Sequence, residues 1–181
     1  MARSKLGISQ EQCVLLSTGV KGQELLQETG AILERRLSVK AAKSVLLAHL
    51  GVGAPKVGLP QLVLPDTDAL EATALFWAAG DAYLNTTRLD NFPNTNLEAL
   101  ASGVPVIVSD VGGAAEAVDS TGGGLIVSRT PPAFAGATQS LLDRVGERKV
   151  LATRAREGAL ARYSPDHHGR MLLDVYRDVS R

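Results

Sequence analysis

Residues 79–127 read AGDAYLNTTRLDNFPNTNLEALASGVPVIVSDVGGAAEAVDSTGGGLIV, and the way this stretch alternates decides the fold. Its apolar runs 82–85, 105–109 and 124–127 are short and bounded by Gly, Pro or polar residues, the pattern of strands buried on both faces. Between the first two runs a helical stretch begins near Thr95 and stops at Gly103 and Pro105. A strand, a polar turn, a helix and a second strand make the repeating unit of a parallel sheet.

The same alternation extends outward in both directions. Runs 13–17, 45–49 and 61–64 are further strands, and residues 22–37 form a covering helix with Leu25, Leu26, Ile32 and Leu33 at helical spacing. Arg35 and Arg36 fall at that helix's C-terminal end, where the helix dipole favours cations. A second helix is expected after Asp66 or Thr67, with Leu70, Ala74 and Trp77 on one buried face. Residues 51–60, with three Gly and two Pro, read as a loop. Beyond Pro132 the chain reads as helices to its end, broken at Gly146 and at Ser164 to Pro165. Leu172, Leu173 and Tyr176 would form a last apolar face docked back on the domain. The fold class expected is α/β, one Rossmann-like domain of 181 residues with a parallel sheet and helices on both faces.

Composition narrows the function classes. Nineteen basic and nineteen acidic residues cancel, so there is no broad positive field of the kind that binds nucleic acid without sequence preference. No run of about 18 apolar residues exists to span a bilayer, and the chain reads as cytoplasmic. The basic residues from Arg144 to Arg162 are interleaved with acids, as on a solvated helix face, and peripheral membrane contact stays open. Cys13 is the single cysteine, which excludes an internal disulfide or a cysteine-rich zinc site. The adjacent His167 and His168 would point about 100° apart on a helix and mark a helix start; no metal site is expected. His49 ends a strand with no partner in view.

In an open α/β sheet, ligands sit beyond the carboxyl ends of the strands, here after Ser17, Asn85 and Ser109. The first of these segments, Thr18 to Gly22, is a glycine-bracketed turn that sets Lys21 at a helix start. A cation there opposes the helix dipole unless an anion such as phosphate offsets it; the alternative is a solvated lysine. The second runs from Asp90 to Glu98 and supplies two carboxylates, side-chain amides and the free N–H groups of a helix start. Such a loop suits a sugar diphosphate, because carboxylates accept from vicinal hydroxyls while orphan N–H groups take phosphate oxygens. Thr95 followed three residues later by Glu98 is equally a capping box, and spacing alone leaves both readings open. The third contains Gly112 and Gly113, which permit a close backbone approach or simply make a turn.

Residues 79–127 as a whole resemble the donor-binding segment of the retaining glycosyltransferases of family 4, also called group 1. Asp90 and Glu98 are separated by seven residues, as are the paired carboxylates of that family, and DNFPN ahead of LEAL and G-x-P-V is similar to one of its branches. The resemblance implies that Asp90 contacts hydroxyls of the transferred sugar and that Glu98 contacts the nucleotide ribose. Lys21 and Gly22 match the family's KG turn, with Lys21 on the donor diphosphate. The backbone of Phe92, Pro93, Asn94 and Thr95 would cradle phosphate and sugar, and Asp90 and Lys21 would be the residues at the reacting centre. It further implies the C-terminal half of a GT-B enzyme, with residues 1–11 a remnant of the interdomain connection and the acceptor domain absent from this chain. The donor would be a nucleotide-diphosphate sugar, with no cofactor, for retaining transfer of a hexosyl group. A separate acceptor-domain chain is the implied partner, and the domain alone should bind its donor more readily than transfer from it. One departure from the family resembled stands out: many of its members carry an arginine shortly before the lysine, whereas Leu16, Ser17, Thr18, Gly19 and Val20 hold none. A non-catalytic sugar-nucleotide-binding module is therefore the competing reading.

Overall fold

The computed structural model describes residues 1–180, and they form a six-stranded sheet in which every pairing is parallel. The strands are β1 Cys13–Thr18, β2 Val45–Leu50, β3 Gln61–Leu64, β4 Ala82–Asn85, β5 Val106–Ser109 and β6 Gly124–Val127, in the order β3-β2-β1-β4-β5-β6. The helices are α1 Ala2–Lys5, α2 Gln23–Arg36, α3 Val39–Lys43, α4 Leu70–Ala79, α5 Asn94–Ala101, α6 Ala114–Thr121, α7 Pro131–Asp143, α8 Val145–Tyr163 and α9 Pro165–Val179.

Side chains alternate across a strand, and the alternation divides the core into two layers. Val14 and Leu16 of β1 join Ala48, Tyr83, Val106 and Val108 beneath Trp77 of α4, Leu100 of α5, Val118 of α6 and Ala155 of α8. Leu15, between them, joins Leu47, Leu84 and Ile107 on the opposite face beneath Leu25 and Leu33 of α2 and Phe134 of α7. The sheet is thus covered on both faces, as its uninterrupted apolar strands require.

The strand order reverses between β1 and β4, which opens a crevice at their carboxyl ends. At the opposite end Asp81, just ahead of β4, gathers the chain. Its carboxylate accepts from Arg3 at 2.5 Å and from the Val14 N–H at 2.8 Å, and lies 3.5 Å from Arg148 of α8. Arg3 also donates to the carbonyls of Ala79 and Gln12, so residues 1–12 are held against the sheet.

Four helical details differ from expectation. On α4 the buried residues are Phe76, Trp77 and Ala79, whereas Leu70 is 84% exposed and Ala74 is exposed too. Leu70 opens the helix at the end where the strands exit, beyond the reach of the core. The break expected at Gly146 falls at Arg144, whose φ of −112° and ψ of 69° separate α7 from α8 and leave Gly146 helical. The last helix begins as expected, with the Ser164 side chain accepting from the His167 N–H behind Pro165, but it does not dock back. No residue of α9 is buried, and Leu172, Leu173 and Tyr176 are 44%, 55% and 67% exposed. α1, α3 and α6 are additions, and the first two are too short for a periodic signal.

Candidate functional site

The segments leaving β1, β4 and β5 converge at the crevice. The first contact is backbone on backbone. Gly22, the residue before α2, takes φ 83°, and a Cβ there would lie 1.9 Å from the Thr86 carbonyl oxygen. Only glycine lets the turn bearing Lys21 lie against the β4 exit. Lys21 itself is exposed and forms no ion pair among the described residues.

A chain of hydroxyls makes the second connection. Tyr83 on β4 lies 2.9 Å from Thr18 Oγ1 and donates to Thr95 Oγ1 at 3.2 Å. Burial pushes the Tyr83 phenol above its ordinary value, its bonds to Thr18 and Thr95 pull the other way, and the Glu98 and Asp90 charges add to the rise. Tyr83 therefore keeps its proton and ties the end of β1 to the first turn of α5.

The capping-box reading is overturned here. Pro93 occupies the position before α5, so Thr95 lies inside the first turn, and no side chain caps the helix. Thr95 is bonded to Tyr83, and Glu98 accepts from the Trp77 indole N–H at 3.1 Å. Glu98 is exposed on α5, and its carboxylate is free for further acceptance.

Asp90 lies half-buried in the loop ahead of α5. Its Oδ1 accepts from the Phe92 N–H at 3.2 Å, and its carbonyl accepts from the Gly113 N–H at 3.0 Å. Gly113 approaches the Asn91 carbonyl so closely that a Cβ would stand 1.6 Å from it, which gives the paired glycines their purpose. Phe92 packs on the core and against Tyr163, Pro93 is buried, and Asn94 is exposed as the first residue of α5. Beneath the loop, Asn96 is wholly buried; it accepts from Asn85 at 2.7 Å and donates to the Ala114 carbonyl at 2.8 Å. This amide bridge joins β4, α5 and α6, and nothing in the spacing of the sequence marked it out.

The five helices that follow a strand, α2, α4, α5, α6 and α7, all start without a side-chain cap. The serine caps, Ser38 and Ser164, belong to α3 and α9, which follow helices. The uncapped N–H groups of α2, α5 and α6 at the crevice are free donors for an anion.

His49 is excluded from the crevice. It is fully buried, with Nδ1 2.9 Å from Ser17 Oγ and Nε2 3.4 Å from the Val52 carbonyl. A carbonyl only accepts, so Nε2 carries the proton and Nδ1 accepts from Ser17. Burial holds its pKa below the ordinary value, with the bond to Val52 opposing. Among the described residues, no helix is long and apolar enough to cross a membrane.

A doubly wound sheet whose helices start without side-chain caps at its switch point defines a Rossmann-like domain. Residues 15–144 match the family described as "Glycosyl transferases group 1", and the chain belongs to that family. It is 31% identical over 180 residues to the D-inositol 3-phosphate glycosyltransferase of Geodermatophilus obscurus, covering 87% of this chain and 39% of that protein. It is 36% identical over 138 residues to the GDP-mannose-dependent alpha-mannosyltransferase of Mycolicibacterium smegmatis, covering 72% of this chain and 36% of the relative. The chain thus spans well under half the length of these relatives. Its fold superposes on sucrose-phosphate synthase from Thermosynechococcus elongatus with a TM-score of 0.80 at 22% identity, over 98% of this chain and 48% of that one. A glycosyltransferase from Rickettsia africae gives a TM-score of 0.76 at 17% identity, over 99% of this chain and 51% of that one. The fold is the Rossmann-like unit of GT-B glycosyltransferases.

Proposed function

We propose that this chain binds a nucleotide-diphosphate sugar at the crevice between β1 and β4, as the donor half of a retaining hexosyl transfer completed by an acceptor domain. The observation that carries the reading is that Gly22 packed on Thr86 and Tyr83 bonded to Thr18 and Thr95 tie the bare starts of α2 and α5 together, with Asp90 on the loop ahead of α5 and Glu98 on that helix. Free N–H groups suit the diphosphate, and carboxylate oxygens suit hydroxyls.

In this reading Glu98, oriented by Trp77, accepts from the ribose hydroxyls, and Asp90, oriented by the Phe92 N–H, accepts from the hexosyl group. Lys21 and Gly22 meet the diphosphate together with the N–H groups of Asn94 and Thr95; of the other two residues of the turn, Pro93 has no N–H and Phe92 donates its own to Asp90. No cofactor or metal is needed beyond the donor itself. The name of the mannosyltransferase relative puts GDP-mannose among the donors to test first.

A thermal-shift panel of UDP-, GDP- and ADP-linked sugars tests the proposal. A ligand at 100 times its Kd stabilises the fold by about 2.7 kcal/mol, and Glu98→Ala should remove the shift. Absence of a shift with every nucleotide sugar refutes the binding role. The second reading, a binding module without transfer, is favoured by the lack of a guanidinium in residues 16–20. Hexosyl transfer by the chain paired with an acceptor domain would exclude it.

A further inference from the structure

We infer that Arg88 and Arg129 supply the guanidinium charge for a diphosphate, in place of the arginine missing ahead of Lys21; this rests on the donor-binding reading above. Arg88 lies on the loop leaving β4, two residues beyond Thr86, the residue against which Gly22 is packed. Arg129 lies between β6 and α7. Both line one open cleft of about 520 Å³ whose other wall is Gly22 and Gln23 at the start of α2. The cleft therefore adjoins the turn that carries Lys21.

Neither arginine forms an ion pair or a side-chain hydrogen bond among the described residues, although Glu24 and Glu28 line the same cleft. Arg129 is half-buried, and its Nε–H is wholly buried without a partner. The Nε–H is closed off by the protein, so the terminal nitrogens of Arg129, which make no side-chain hydrogen bond among the described residues, are the ones left for an incoming acceptor. Two guanidiniums that line one cleft with the bare start of α2 suit the oxygens of a diphosphate, for which arginine offers paired donors. Sequence reading missed the pair because the residues follow different strands and share no motif.

The experiment is calorimetric binding to the whole chain and to Arg88→Gln, Arg129→Gln and Arg129→Lys. Its probes are uridine, guanosine and adenosine diphosphates, the matching nucleosides and inorganic pyrophosphate. Each glutamine variant should weaken the bound nucleoside diphosphate by about 10- to 100-fold and leave nucleoside binding unchanged. Arg129→Lys should recover part of the loss. Arg88 is exposed, so its variant folds whatever happens at Arg129. Diphosphate binding that is equal in wild type and variants overturns the inference and leaves the donor-binding reading intact. Arginine-dependent pyrophosphate binding without any nucleoside diphosphate binding supports the anion site and removes the donor reading. No binding of any phosphate probe overturns both.

Discussion

The indole N–H of Trp77 donates to Glu98 Oε2 at 3.1 Å, so a carboxylate on α5 is oriented by a buried residue of α4. Trp77→Phe keeps an aromatic ring against Phe76 and Tyr83 but removes the donor. We expect stability to fall by roughly 1–3 kcal/mol and, if Glu98 receives the ribose as proposed, nucleotide affinity by roughly 3- to 10-fold, since its carboxylate then loses the donor that orients it. Denaturant melts and calorimetry on one preparation separate the two effects. Unchanged affinity in a folded variant would remove the orienting role.

Gly22→Ala puts a methyl into the Thr86 carbonyl and forces alanine to φ 83°. The clash and the strained backbone together should cost roughly 2–4 kcal/mol, a fall in Tm of roughly 5–15 °C. Nucleotide binding should be lost at temperatures where the variant is still folded. Circular dichroism melts and a binding titration at 15 °C check both halves.

His49 gives stability a pH dependence of known sign. Its pKa is lowered by burial, so the folded chain resists taking the proton that the unfolded chain accepts. The stabilisation is present above the ordinary histidine value of 6.5 and is lost as pH falls below it. Urea midpoints should decline from pH 7 to pH 5, and His49→Gln should flatten that decline. An equal slope in the variant would place the effect on other groups.

Cys13 acts at the other end of the scale. Burial first, and then the charge of Asp81, push its thiol from 9.0 up to about 12, against the pull of Arg148 and Arg3. Arg148 also donates to its Sγ at 3.3 Å. The native thiol should resist iodoacetamide at pH 7.5 and react after unfolding in urea. Above pH 9 the unfolded chain releases a proton that the fold retains, so stability should decline there, and less steeply in Cys13→Ala. Rapid labelling of the native protein would contradict this.

The strands were legible because each is an apolar run with a hard stop, such as Asn85 before a polar turn or Pro105 before β5. Every one of them lies within a residue of its expected bounds. Helix faces were less legible. Leu70 and Ala74 share a face with Trp77, yet only Trp77 reaches the core, because burial depends on where along the sheet the helix passes. α9 carries an apolar stripe that sequence alone assigns to the domain, yet the fold leaves it exposed. At the site, the loop and its carboxylates were visible as a motif, while the capping box failed because the position before the helix falls on Pro93, two residues ahead of Thr95. The Asn96 bridge, the Tyr83 hydroxyl chain and the Arg88–Arg129 pair join residues from separate strands, and local spacing carries no record of such meetings.

Asp81 binds Arg3, Arg148 and the Val14 N–H at the amino ends of the central strands, away from the crevice, so the charged fastening of the domain and its ligand-facing loops occupy opposite poles. Substitutions in the loops after β1, β4 and β6 leave that fastening untouched. Side chains of those loops can therefore diverge at one pole while the charged fastening is kept at the other, with Gly22, packed on Thr86, the position where the two demands fall on one residue.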